Sequence, residues 1–126
     1  MQYVLDASLI LAKFNGERGG ERLADFVDGA AISVVTYVEV VTKLMDGGVP
    51  FDAAHRSLST LPLQLVDVDA LLAQRAAALR GETRVGGLSL GDRLCLATAE
   101  SLGATAVTAD QAWRKISIGI PIEFVR

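Results

Sequence analysis

Cysteine is nearly absent from this chain. Cys95 is its only thiol, which excludes an internal disulfide framework and a cysteine-built zinc cluster and fits a reducing compartment. Histidine is equally scarce. His55 is the only imidazole and has no catalytic company in its neighbourhood, which argues against a histidine-based ribonuclease needing two acid–base groups. It is expected on the surface of a helix. Long apolar runs are missing too. Nothing approaches the roughly 20 apolar residues that span a bilayer, and the first apolar segment has no basic start and no small-residue cleavage site. A cytoplasmic protein with no membrane partner is the expectation. Finally, positive charge is short: 12 Lys and Arg stand against 15 Asp and Glu, for a net charge of −3 and a pI near 5.0. Such a chain does not hold nucleic acid mainly through a basic surface. A nucleic-acid enzyme stays open, because acids gathered around metal ions count as negative in this sum although bound ions would offset them.

What is present is a globular composition, 51% hydrophobic and 21% charged over 126 residues, enough for one domain with its own core. Strand and helix signals alternate. Strands are expected at 2–6, 30–35, 63–67, 104–108 and 120–125. Helices are expected at 8–14, 20–27, 36–45, 50–58, 70–79, 90–102 and 111–116, and residues 81–87 read as a glycine-rich loop. There is no linker, repeat or low-complexity tract. The pattern predicts a single α/β domain over residues 1–126, with a mainly parallel sheet covered by helices on both faces.

Against this background four acids stand out. "YVLDAS" ends an apolar run on Asp6, and "VTAD" ends another on Asp110. Glu39 is expected in the first turn of the helix after the second strand, and Asp92 in the first turn of the helix after the glycine loop. In an open α/β sheet the carboxyl ends of the strands share one edge, where ligands bind. Each acid also has a plain structural explanation. Thr36-x-x-Glu39 and Ser89-x-x-Asp92 both fit capping boxes, Glu39 has Lys43 four residues on, and Asp110 could charge a helix start. Asp92 resists this, since Cys95, Leu96 and Ala99 share its helix face and an unpaired carboxylate there is costly. Asp6 resists it more, because capping does not explain an acid that ends a core strand. Crowded carboxylates repel and favour the neutral form, so an ionised cluster calls for a cation. Oxygen-only ligands select a hard ion, Mg²⁺ or Mn²⁺, of the kind used on phosphate esters.

The chain resembles the PIN-domain ribonucleases, most closely the VapC-type toxins of toxin–antitoxin pairs. The resemblance rests on "YVLDAS", "ISVVTYVEV", "SLGDRLCLATAESLGATAVTAD" and the terminal "IPIEFV". It implies a metal-dependent endoribonuclease whose acids are Asp6, Glu39, Asp92 and Asp110. Ser8 and Thr108 would orient carboxylates or water, although a first-turn serine and a β-branched strand residue explain them equally well. It further implies an RNA substrate, an antitoxin partner and a homodimer. Arg93 departs from the pattern, since many relatives carry alanine after this aspartate; it could face solvent, RNA phosphate or a partner. Arg80 and Arg84 in the glycine loop are candidate RNA contacts, and Lys13, Arg18 and Arg22 are ambiguous in the same way. Two other classes remain: a non-catalytic PIN-fold module that binds RNA or protein, and a phosphotransfer domain using Asp6 as nucleophile. The latter lacks the second aspartate expected at Ser8, and the paired acids and lysine of receiver domains. Cys95 and Trp113 are expected in the core.

Overall fold

The structure is a computed structural model and describes residues 2–126. Five short strands, β1 (Tyr3–Leu5), β2 (Ala31–Ser33), β3 (Gln64–Val66), β4 (Thr105–Thr108) and β5 (Ile122–Phe124), form one sheet in the order β3-β2-β1-β4-β5. Every pairing is parallel, so every connection is a crossover and both faces need cover. The helices α1 (Ala7–Phe14), α2 (Leu23–Phe26), α3 (Val34–Asp46), α4 (Phe51–Ser59), α5 (Ala70–Ala78), α6 (Arg80–Thr83) and α7 (Leu90–Leu102) supply it. Short 3₁₀ turns lie at Gly20–Arg22, Arg84–Gly86 and Gln111–Lys115.

Two apolar clusters flank the sheet, and β1 shows why. Successive strand residues point to opposite faces. Leu5 joins Leu9, Ile10, Leu23, Phe26, Val40 and Leu44 on one side. Val4 joins Leu72, Leu79, Leu96, Ala99 and Trp113 on the other. Trp113 and Cys95 are fully buried and His55 is exposed, as their sequence contexts predict. Among the described residues no helix is long and apolar enough to cross a membrane.

The sequence expectation needs correction in two places that bear on function. The second strand stops at Ser33, and α3 starts at Val34, two residues before Thr36. Val34 and Val35 are β-branched and prolong the apparent strand, but Ser33 turns the chain. Its backbone is extended (φ −64°, ψ 147°) and its hydroxyl accepts the Val35 N–H at 3.1 Å, an N-cap. Thr36 is therefore a buried residue within the helix. Glu39 sits in the second turn, not the first, and the Thr36–Glu39 capping box does not form. Ser33→Ala should cost about 1 kcal/mol, visible as a drop of a few degrees in a thermal melt. The second correction concerns residues 81–87, which are not open loop. α6 and the turn Arg84–Gly86 continue the helical path, helped by the buried Thr83 hydroxyl, which donates to Leu79 O at 2.7 Å.

Strand order fixes where a ligand can sit. The chain leaves β1 toward β2 and leaves β4 toward β5, in opposite directions from two adjacent strands. The connections diverge and open a crevice at the carboxyl ends of β1 and β4, the topological switch point of an open α/β sheet. Asp6 immediately follows β1, and Ala109 and Asp110 follow β4.

Candidate active site

Asp6 occupies the N-cap position of α1, yet its side chain makes no cap bond. It is buried, with 2% of its surface exposed. Its Oδ2 accepts hydroxyl bonds from Ser8 at 2.6 Å and from Thr108 at 2.9 Å. The same two hydroxyl oxygens accept backbone N–H groups, Ala109 N to Ser8 at 2.9 Å and Asp110 N to Thr108 at 3.0 Å. Each hydroxyl has one proton, and both protons go to Asp6. The 3.1 Å approach of Ser8 Oγ to Thr108 Oγ1 is then a close contact between two donors already committed. The network ties the end of β1 to the end of β4. Burial chiefly, and the Asp92 charge next, push the Asp6 carboxyl up to about 7, against the downward pull of the two hydroxyls.

Asp92 lies in the first turn of α7 and completes a capping box. Ser89 N donates to its Oδ2 at 2.9 Å, and its own N–H donates to Ser89 Oγ at 3.2 Å. This structural role was legible beforehand and does not exhaust the residue. Burial raises its pKa, as does the Asp110 charge, while the Ser89 bonds and a hydrogen bond with the Asp6 carboxyl pull it down. Asp110 caps the turn Gln111–Lys115 by accepting Ala112 N on Oδ1 at 2.9 Å.

Glu39 comes in from α3. Burial raises its pKa first and the Asp92 charge second; Lys43 lowers it without forming an ion pair among the described residues. Its Oε1 is buried with no hydrogen-bond partner, an arrangement that normally costs free energy. The fold brings all four acids into mutual electrostatic range, since Asp6 feels Asp92 and Glu39, and Asp92 feels Asp110. The side chains are nonetheless turned to separate local donors. Among the described residues no three acid, histidine or cysteine side chains form a ligating cluster as they stand. Among the described residues the hydroxyl and backbone N–H donors to Asp6, Asp92 and Asp110 fall on a single oxygen of each.

Gly91 escaped the sequence reading. A Cβ on it would overlap the Glu39 carboxylate, so α7 and the Glu39 side chain meet only because this position has no side chain. The signal was a glycine inside a helix with no turn to explain it. Gly91→Ala should leave the fold standing, displace Glu39, and lower any activity of the site by roughly 10- to 100-fold. Combining it with the shorter Glu39→Asp should recover part of the loss, which steady-state kinetics on the double variant would show.

The candidate RNA contacts divide. Arg80 and Arg84 are exposed. Arg93 turns back on the fold: it is half-buried, and its Nη1 donates to Ala76 O in α5 at 3.3 Å.

A family profile described as PIN domain matches residues 3–119. No curated protein matches the chain. Solved structures with the same fold include a toxin–antitoxin complex from Klebsiella pneumoniae, with TM-score 0.77, 24% identity, 99% of this chain covered and 98% of that one. The DNA-bound VapBC of Salmonella typhimurium follows, with TM-score 0.75, 22% identity and coverage of 100% and 99%. The sarcin–ricin-loop-cleaving toxin VapC20 of Mycobacterium tuberculosis has TM-score 0.71, 19% identity and coverage of 90% and 94%.

Proposed function

Because this chain belongs to the PIN domain family, we propose that it is a metal-dependent endoribonuclease, the toxin of a toxin–antitoxin pair. The observation that carries the reading is the convergence of Asp6, Glu39, Asp92 and Asp110 at the switch point of the sheet, with Asp6 buried between the ends of β1 and β4.

The donor set fits a hard divalent cation. It is all oxygen. Asp6, Asp92 and Asp110 each have one oxygen to which no hydroxyl or backbone N–H donates among the described residues, Glu39 Oε1 is buried without a partner, and Gly91 leaves Glu39 its place. Asp6, Asp92 and Asp110 would hold Mg²⁺ or Mn²⁺, with Glu39 either joining them or orienting water. A bound ion of this kind polarises a phosphoryl oxygen and makes water a better nucleophile near neutral pH. The chain's own residues supply the rest. Ser8 and Thr108 fix Oδ2 of Asp6 and so orient its carboxylate. The Ser89 capping box fixes Asp92 in the same manner. Glu39, whose affinity for a proton is raised by burial, would orient the attacking water and accept its proton. Hydrolysis would leave a 5′-phosphate and a 3′-hydroxyl.

An antitoxin partner is part of this reading, supported by relatives of the same fold solved as toxin–antitoxin complexes. So is a homodimer, supported by the exposed apolar side chains of Val38, Val85 and Leu90. The test is cleavage of a labelled pool of small cellular RNAs by purified, partner-free protein with Mg²⁺, with Mn²⁺ and with EDTA. Cutting only with metal is the expected result. No cutting by folded protein in any condition would turn the reading toward a binding module.

A further inference from the structure

The carboxyl edge of the sheet carries a second feature beside the acids. A pocket of about 530 Å³ is lined by Arg18, Gln111, Arg114 and Arg126. Among the described residues no acidic side chain lines it, in a chain of net charge −3. Two of its arginines are held in place. Arg126 donates from Nε to Ala109 O at 2.9 Å and from Nη1 to Arg18 O at 2.9 Å. The Arg114 guanidinium lies over the Phe124 ring, 4.1 Å from its centroid. It donates from Nε to Gln111 Oε1 at 2.7 Å and from Nη2 to the main-chain oxygen of Arg126 at 3.2 Å. Gln111 Nε2 donates to that same oxygen. The side chain of Arg18 stands exposed.

This pocket adjoins the acids directly. Arg126 is bonded to the carbonyl of Ala109, whose N–H is bonded to Ser8. Gln111 follows Asp110 in sequence. Four carboxylates repel a polyanion, so a strand that reaches them gains from a cationic anchor close by. Guanidinium groups already ordered lose little freedom when they bind, and their donor geometry matches phosphate oxygens.

We propose that Arg18, Arg114 and Arg126 bind a backbone phosphate of RNA next to the phosphodiester that the acids receive; this rests on the nuclease reading above. A polyanion with repeating phosphates engages the pocket and the acid site together, which an isolated acidic side chain does not. RNA is therefore the ligand the position favours.

The experiment measures binding of a short, fluorescently labelled single-stranded RNA to the full chain by anisotropy, in EDTA and at several salt concentrations. It compares Arg18→Gln, Arg114→Gln and, on α4, Arg56→Gln. Arg18→Gln and Arg114→Gln should each weaken binding by about tenfold and lower the slope of log Kd against log salt by about 1. Arg56→Gln should change neither, and melting temperatures should hold. In metal-dependent cleavage the same two changes should raise KM and spare kcat. Native-like binding by both variants overturns the proposal and leaves the arginines only seating the segment after β5. Absence of RNA binding by the native chain, or tighter binding of an acidic peptide than of RNA, overturns it too. Arginine-dependent binding without cleavage in any metal would sustain the pocket while the nuclease reading failed.

Discussion

Asp92→Asn should reduce metal-dependent RNA cleavage by at least about 100-fold while leaving the melting temperature of the metal-free protein nearly unchanged. The substitution separates the two tasks of this residue. An asparagine Oδ1 still accepts the Ser89 N–H, and the backbone N–H still reaches Ser89 Oγ, so the capping box that starts α7 survives. What goes is a negative charge in a site where Asp6, Glu39 and Asp110 supply the others. Loss of one precisely placed electrostatic group in such a site commonly costs 10²- to 10³-fold, and Mn²⁺ affinity measured by titration should fall in parallel. Full activity in Asp92→Asn would remove the acid cluster as the seat of catalysis. A large fall in melting temperature would show that capping, not charge, was the dominant role.

The second large effect is a stability change with pH. The folded protein holds the Asp6 carboxyl up at about 7 against an ordinary value of 3.8. Between those values the folded chain keeps a proton that the unfolded chain has released. Folding is then favoured by acid: the stability is present in full below about pH 4 and is lost as pH rises toward 7, levelling beyond. For Asp6 taken alone this would amount to up to roughly 4 kcal/mol, on the order of 10 °C in melting temperature. Glu39 and Asp92 are raised as well and act in the same direction. Thermal melts in EDTA across pH 4 to 8 should therefore decline. Asp6→Asn should flatten most of the decline and stabilise the metal-free protein at neutral pH, since its amide oxygen can still accept the Ser8 and Thr108 hydroxyls. Divalent metal should oppose the decline in the native chain by favouring ionised carboxylates. A flat native profile would sink this account of Asp6.

Much of this was legible in the chain because it is written in local pattern. Apolar runs ending on Asp6 and Asp110 mark strand ends, and alternation with helices marks a parallel sheet whose strand ends share one edge. Ser89 and Asp92, three residues apart, announce a cap. The misplaced features are those in which a short-range signal competed with another. Val34 and Val35 look like strand until Ser33 redirects the backbone. Residues 81–87 look like loop because glycines outnumber the contacts visible in sequence, whereas Thr83 anchors them from within. Other features depend on residues brought together only by folding. Nothing near Gly91 says that Glu39 will rest on it, and Arg18, Arg114 and Arg126 are scattered in sequence yet share one pocket.

The same long-range closure has a consequence for the order in which this protein is made. Thr108 and Asp6 are 102 positions apart, and Ser8 and Ala109 are 101 apart. β1 lies in the middle of the sheet but acquires β4 as its neighbour only when the fourth strand has been synthesised. A chain still emerging from the ribosome carries Asp6 and Glu39 early, yet without β4 it has neither Asp110 nor the Thr108 hydroxyl that holds Asp6. Pairings of such sequence separation also form late in folding. On the nuclease reading proposed above, the acid site of the growing chain would stay incomplete until β4 and Asp110 have been made.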